Sequence, residues 1–175
     1  MRSIRQLALL LAVPVLVHDA PMTASDTHED VTKTIATFKK KDPGIEKFFH
    51  DAIGYAVFPT VGKGAIGVGG AHGSGELLMG GNAVGKVSLT QVTVGLQFGG
   101  QSYSEIIFFE TQRTLDSFKS GDFAFAAQAT AVALTAGAAA NAAYRDGVAV
   151  FTIAKGGLMY EASIGGQKFS FKPYK

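Results

Sequence analysis

Gly80, Gly85 and Lys86 stand at the spacing of a phosphate-binding loop, in which backbone N–H groups cradle phosphates and the lysine reaches them. They lie in a stretch, Gly62 to Ser88, where ten of 27 residues are glycine. That chemistry needs a hydroxyl directly after the lysine to hold magnesium, and then a helix whose N-terminus faces the phosphates. Here Val87 comes after Lys86, and the run from Lys86 to Phe98 alternates as a strand does. Gly64, Gly67, Gly69, Gly70, Gly73 and Gly75 do not produce the dinucleotide fingerprint followed by a helix either. The glycines therefore read as architecture.

Other chemistries fare no better. The chain has no cysteine, and Gly73-Ser74-Gly75 lacks the spacing of a nucleophile elbow. His28 sits beside Glu29 and Asp30 and reads as a solvated residue on a polar helix face. His50, with Asp51, ends a helix, where an imidazole meets the negative end of the dipole. His72 is the best-placed histidine for a site and the sole foothold for a hydrolase. It has no histidine or carboxylate at ligand spacing, however, and reads as structural. Glu105 and Glu110 flank a strand and form no catalytic pair. The sequence reads as a non-enzyme without metal or cofactor.

The elements that would position these residues start after a distinct leader. Arg2 and Arg5 precede an unbroken apolar run from Leu7 to Val17. That run is shorter than the roughly 20 residues a helix needs to cross a bilayer of ~30 Å, and it contains Pro14. Residues 1–24 are expected to be a secretory signal peptide, cleaved after Ala24 or Ala20, with an uncleaved anchor as the alternative. Such a leader implies export to the periplasm or cell envelope. Residues 25–175 then form a single domain with 14 Lys+Arg against 13 Asp+Glu, too balanced for a general nucleic-acid binder.

Residues 26–50 predict two helices. Asp26 is expected to cap the first with Glu29 three residues on, and Val31, Ile35 and Phe38 form its apolar side. Asp42-Pro43-Gly44 breaks it, and Asp42 caps the second, with Pro43 at its first position. Strands are expected from Ile53 to Pro59, through the glycine block and from Lys86 onward, with a bulge or strand boundary near Thr90-Gln91. In the glycine block Ala65, Gly67, Gly69 and Ala71 form one face almost without side chains. Tyr103 to Glu110 adds a strand, and a short helix comes next, capped by Thr111 and stopped at Gly121. Residues 122–145 are ambiguous: alanine content favours a helix, alternation a strand to about Leu134. The chain ends in two strands expected to pair around Gly156-Gly157. The fold class is α+β, with N-terminal helices packed on a glycine-rich, mostly antiparallel curved sheet or barrel.

Three segments together are specific: "IGYAVFPTVGKGAIGVGGAHGSGEL", "VSLTQVTVGLQFGGQSYSEIIFF" and "VAVFTIAKGGLMYEASIGG". In this order the chain resembles the SYLF domain family over roughly residues 31–173. These are lipid-binding domains known also from eukaryotic actin-bundling proteins. The resemblance implies lipid binding through basic residues and an amphipathic N-terminal segment. Lys33, Lys39, Lys40, Lys41 and Lys47 occupy the comparable helical region, and Lys63 lies inside the glycine block. Val87-Ser88 stands where eukaryotic members often carry a tryptophan-serine pair. An exported chain would meet anionic phospholipid at a membrane surface, not cytoskeletal actin, and glycerophospholipid is a more natural ligand than phosphoinositide. A structural or protein-interaction module of the envelope without lipid binding is the alternative.

Overall fold

The structure is a computed structural model that describes residues 24–63, 70–92, 102–126, 129–156 and 162–175. Residues 1–23 of the expected signal peptide, the face from Ala65 to Gly69 and the run from Thr93 to Phe98 lie outside the described residues.

Helix α1 (Ala24–Lys41) buries Thr27, Val31, Thr34 and Phe38, the spacing of one helical stripe. It already includes Ala24 and Ser25, so Asp26 lies inside the helix and is not its N-terminal cap. Asp42 stops α1 and caps a 3₁₀ turn (Pro43–Ile45), its Oδ1 accepting from the Gly44 N–H at 3.0 Å. Helix α2 (Glu46–Asp51) continues directly from that turn.

The eight strands are β1 (Gly54–Lys63), β2 (Gly70–Met79), β3 (Asn82–Val92), β4 (Ser102–Phe109), β5 (Thr130–Ala133), β6 (Val148–Lys155), β7 (Ala162–Ser163) and β8 (Gln167–Pro173). Their order in the sheet is β7-β5-β6-β4-β1-β2-β3-β8. Helix α3 (Gln112–Ser120) comes after β4, with Thr111 as its N-cap and Gly121 at φ 82° as its left-handed stop. Among the described residues every strand pairing is antiparallel except β5 with β6. That parallel pair is joined by a crossover through residues 134–147, since parallel neighbours cannot be linked by a tight turn. Among the described residues of 122–145 only Thr130 to Ala133 forms a strand, and the alanines after it make a short 3₁₀ turn, Ala138–Asn141.

Three expectations need correction. The two C-terminal segments do not pair around Gly156-Gly157: β6 lies between β4 and β5, while β8 pairs with β3. Strand β1 does not end at Pro59 but runs through it. The register slips between Val57 and Thr60, so the proline sits in a bulge, where its missing N–H costs no ladder bond. The slip also switches parity, with Ala56 and Phe58 inside before it and Val61 inside after it. At Thr90-Gln91, by contrast, β3 pairs regularly with both neighbours, and its irregularity lies near Val84. Gln91 fills the next interior position, 4% exposed, so a buried polar residue had hidden the regular alternation.

The sheet curls without closing. Its edges β7 and β8 are consecutive in the chain, joined through Ile164 to Gly166, yet no ladder pairs them among the described residues, so this is not a closed barrel. The curl brings β8 over β1, with the rings of Phe58 and Phe169 6.0 Å apart. One core fills the concave side, including Phe58, Leu89, Phe109, Phe118 and Phe169. On the other side Val31, Phe38, Ile45 and Phe48 of the N-terminal helices share a core with Val57, Ile106, Phe108 and Phe151. Each such apolar side chain contributes about 1.5–3 kcal/mol on burial. Gly75 shows why the glycine block is needed. A Cβ there would stand 1.8 Å from the Val57 carbonyl oxygen, where β2 crosses the bulge of β1.

Candidate functional site

Strands β2, β3 and β8 send every second residue away from the concave core, and register aligns these residues in rows. Ser74, Ser88 and Ser170 form one row, which Thr60 of β1 extends on the far side of Ser74. The Ser88 and Ser170 hydroxyls are 2.6 Å apart, and Lys155 Nζ donates to Thr60 Oγ1 at 2.6 Å. One row along lie Glu76, Lys86 and Lys172; on the other side lie His72, Thr90 and Lys168. From these rows Thr60, His72, Ser74, Lys86, Ser88, Ser170 and Lys172, with Thr27 and Asp30 of α1, line a groove of about 600 Å³. His72 is exposed on its wall and is not a buried structural residue. The Gly80…Gly85-Lys86 spacing resolves into a turn at Gly80-Gly81 and two positions of β3, so no helix comes after the lysine.

Next to the groove, Glu76 is almost fully buried and holds two other segments. His28 Nδ1 of α1 lies 2.8 Å from Glu76 Oε2, and the Tyr174 hydroxyl donates to Glu76 Oε1. Burial and the Glu76 carboxylate both push the Tyr174 phenol up, which keeps it a donor. His28 is therefore tied to a buried carboxylate and not merely solvated as its neighbours suggested. Sequence reasoning missed this cluster because its members lie 48 and 98 positions apart. A single buried glutamate in an alternating strand gives little signal.

The N-terminal lysines do not form one patch. Lys33 and Lys40, two turns apart, share the face opposite Val31, Thr34 and Phe38, while Lys39 and Lys41 lie on opposite flanks. Lys33 pairs with Glu29 at 2.6 Å and Lys39 with Glu46 at 3.0 Å. Lys47 points back to the carbonyls of Ala140 and Ala142. Lys40 and Lys41 are exposed and make no ion pair among the described residues. Lys63 ends β1 opposite Ala71, and its side chain lies outside the described residues.

A second polar cluster is enclosed by the curled sheet. Gln167 Nε2 donates to Glu105 Oε2 at 3.0 Å and to the Tyr103 oxygen at 3.2 Å, while the Tyr103 hydroxyl faces Gln91 Oε1 at 3.4 Å. Glu105 is fully buried, and desolvation pushes its carboxyl up to about 7. Glu105 Oε1, Gln167 Oε1 and Thr152 Oγ1 have no hydrogen-bond partner among the described residues. A larger hollow of about 850 Å³ runs along β5, floored by alanines such as Ala131 and Ala149, with Arg145 and Asp146 in its lining. Among the described residues no group of three histidine, aspartate or glutamate side chains could hold a metal. No helix of the described residues is long and apolar enough to cross a membrane.

Comparison with known proteins matches residues 90–173 to the family described as "Ysc84: Las17-binding protein actin regulator". Beta cell expansion factor A of Aeromonas veronii is 28% identical over 141 residues, which cover 79% of this chain and 52% of that protein. The chain thus spans about half the length of the curated relative it matches. The matched region begins near the end of β3 and takes in β4, α3 and every later strand, including the β8 wall of the groove, while the groove residues of β3, Lys86 to Ser88, precede it. Over residues 90–173 the chain is thus similar to the SYLF family, to which that family model corresponds.

Proposed function

We propose that this chain is a non-enzymatic lipid-binding protein that associates with anionic phospholipid at a cell-envelope membrane. The observation that carries the reading is the similarity of residues 90–173 to the SYLF family. Two features of the chain agree with it. Lys40 and Lys41 project from the end of α1 without ion pairs among the described residues, free to face a surface of opposite charge. The leader-like segment at residues 1–24 supports export and hence an envelope location. Each lysine near an anionic surface contributes about 1 kcal/mol, and salt screens that attraction over roughly 10 Å.

Co-sedimentation of the full chain with vesicles tests this. Binding is expected to vesicles containing phosphatidylglycerol, weakly or not at all to pure phosphatidylcholine, and to fall as salt rises from about 50 to about 300 mM. Replacing Lys40 and Lys41 by glutamine should weaken binding by about fivefold for each lysine. Wild type and variant share residues 1–23, so their difference reports on α1. Absence of binding to either vesicle would overturn the reading.

A further inference from the structure

We propose that the groove on the outward face of β1, β2, β3 and β8 is a binding site for a phosphate group, and that the phosphate is that of a phospholipid head group. The head-group part rests on the lipid-binding function proposed above; the site itself rests on geometry.

Register places Lys86 directly opposite Lys172 on one face of an antiparallel pair. Like charges in that position are destabilising unless something lies between them to neutralise both. The carboxylate that could do so is Glu76, which is in register with Lys86 on the other side. Both of its oxygens are already engaged, one by His28 and one by the Tyr174 hydroxyl. Neither Lys86 nor Lys172 makes an ion pair among the described residues, so the two cations line the groove without a bonded carboxylate partner.

The next row supplies what a phosphate needs besides charge. Ser74, Ser88 and Ser170 lie two residues along from the lysines, about 7 Å at strand rise; the Ser74 hydroxyl can turn to donate, and Ser88 and Ser170, bonded to each other, leave one hydroxyl proton between them to donate. A phosphate between the rows would receive charge-assisted bonds from the lysines on one side and hydroxyl bonds on the other. His72, one row further, adds a ring nitrogen on the same wall. One carboxylate, Asp30 of α1, also lines the groove and opposes an anion there. Its removal should therefore tighten binding, which gives the proposal a test in both directions.

The probes are inorganic phosphate, soluble dihexanoyl phosphatidylglycerol, and vesicles of about one-quarter phosphatidylglycerol. Each is titrated against the full chain, Lys86→Gln/Lys172→Gln, Lys40→Gln/Lys41→Gln and Asp30→Asn, with circular dichroism confirming the fold. Loss of both groove lysines should weaken the soluble lipid by about tenfold or more. Loss of Lys40 and Lys41 should leave soluble-lipid binding unchanged while lowering vesicle binding. Asp30→Asn should tighten the soluble lipid by about two- to fivefold. If the groove lysines are removed and the soluble lipid binds as before, the site is refuted, while vesicle binding by the wild type keeps the functional reading. If vesicles fail but the soluble lipid binds in a groove-dependent way, the functional reading falls and the site stands. If inorganic phosphate binds as tightly as the lipid with the same variant dependence, the ligand is free phosphate and the head-group assignment is wrong. Should the double lysine variant not fold, Asp30→Asn decides alone: no tightening overturns the proposal.

Discussion

Glu105→Gln keeps the shape of a protonated glutamic acid while removing its ability to titrate. Glu105 is fully buried on the concave face of β4, with one oxygen bonded to Gln167 and the other without a partner among the described residues. Desolvation raises its carboxyl from 4.5 to about 7, and the Gln167 bond only partly offsets that. Below about pH 4.5 the carboxyl is protonated in both folded and unfolded chains, and its contribution to stability is full. Between about pH 4.5 and 7 the unfolded chain binds fewer protons than the folded one, so stability falls as pH rises. Above about pH 7 the contribution has gone, a loss of about 3 kcal/mol from a shift of that size. Urea unfolding of wild type and Glu105→Gln at about pH 4, 6 and 8 measures it, because all other titrating groups cancel in the difference. The variant should gain on the wild type with rising pH and be more stable by up to about 3 kcal/mol at pH 8, roughly 6–12 °C in Tm. A difference between the two proteins that stays constant with pH would refute the reasoning, since Glu105 would then not hold its proton more tightly in the folded state.

Two further predictions concern architecture. Gly75→Ala should cost at least about 3 kcal/mol or abolish folding, since its Cβ meets backbone at 1.8 Å. Gly62→Ala, whose Cβ would meet only Ser102 Cβ at an ordinary 3.5 Å, should be neutral or stabilising by up to about 1 kcal/mol; urea midpoints compare the two. Asp42 also accepts from the Ala139 N–H at 2.7 Å, and that bond, with those from Gly44 and Gly137, holds its carboxyl below the usual range. Asp42→Ala should therefore accelerate hydrogen exchange at Ala139. In the wild type that protection should be lost only as pH drops through the lowered Asp42 pKa.

Much of the local structure is legible because its causes are local. Asp42-Pro43-Gly44 breaks and caps a helix through atoms within two residues of one another. Thr111 and Gly121 bound α3 for the same reason. The rejection of a nucleotide loop at Gly80 to Lys86 likewise depended only on the residues directly after the lysine, which continue β3. Where strand parity was interrupted, sequence reasoning placed the irregularity at Thr90-Gln91 when it lies at Pro59 and Val84. Gln91 is polar but buried, because Tyr103 and the Gly165 carbonyl satisfy its amide. A hydropathy pattern does not register such partners.

The sequence by itself determined the class of many elements, the caps of the 3₁₀ turn at Pro43 and of α3, the rejection of a nucleotide loop at Gly80 to Lys86, and the SYLF resemblance. Periodicity and capping are set by neighbours a few residues away. Only the tertiary structure decided that β6 lies between β4 and β5, that the curled sheet stays open, and that Glu76 gathers His28 and Tyr174. It alone set Lys86 opposite Lys172 beside a row of serines. Strand partners are chosen by which apolar faces can be buried together, a competition over the whole chain, and register then brings distant side chains into one site.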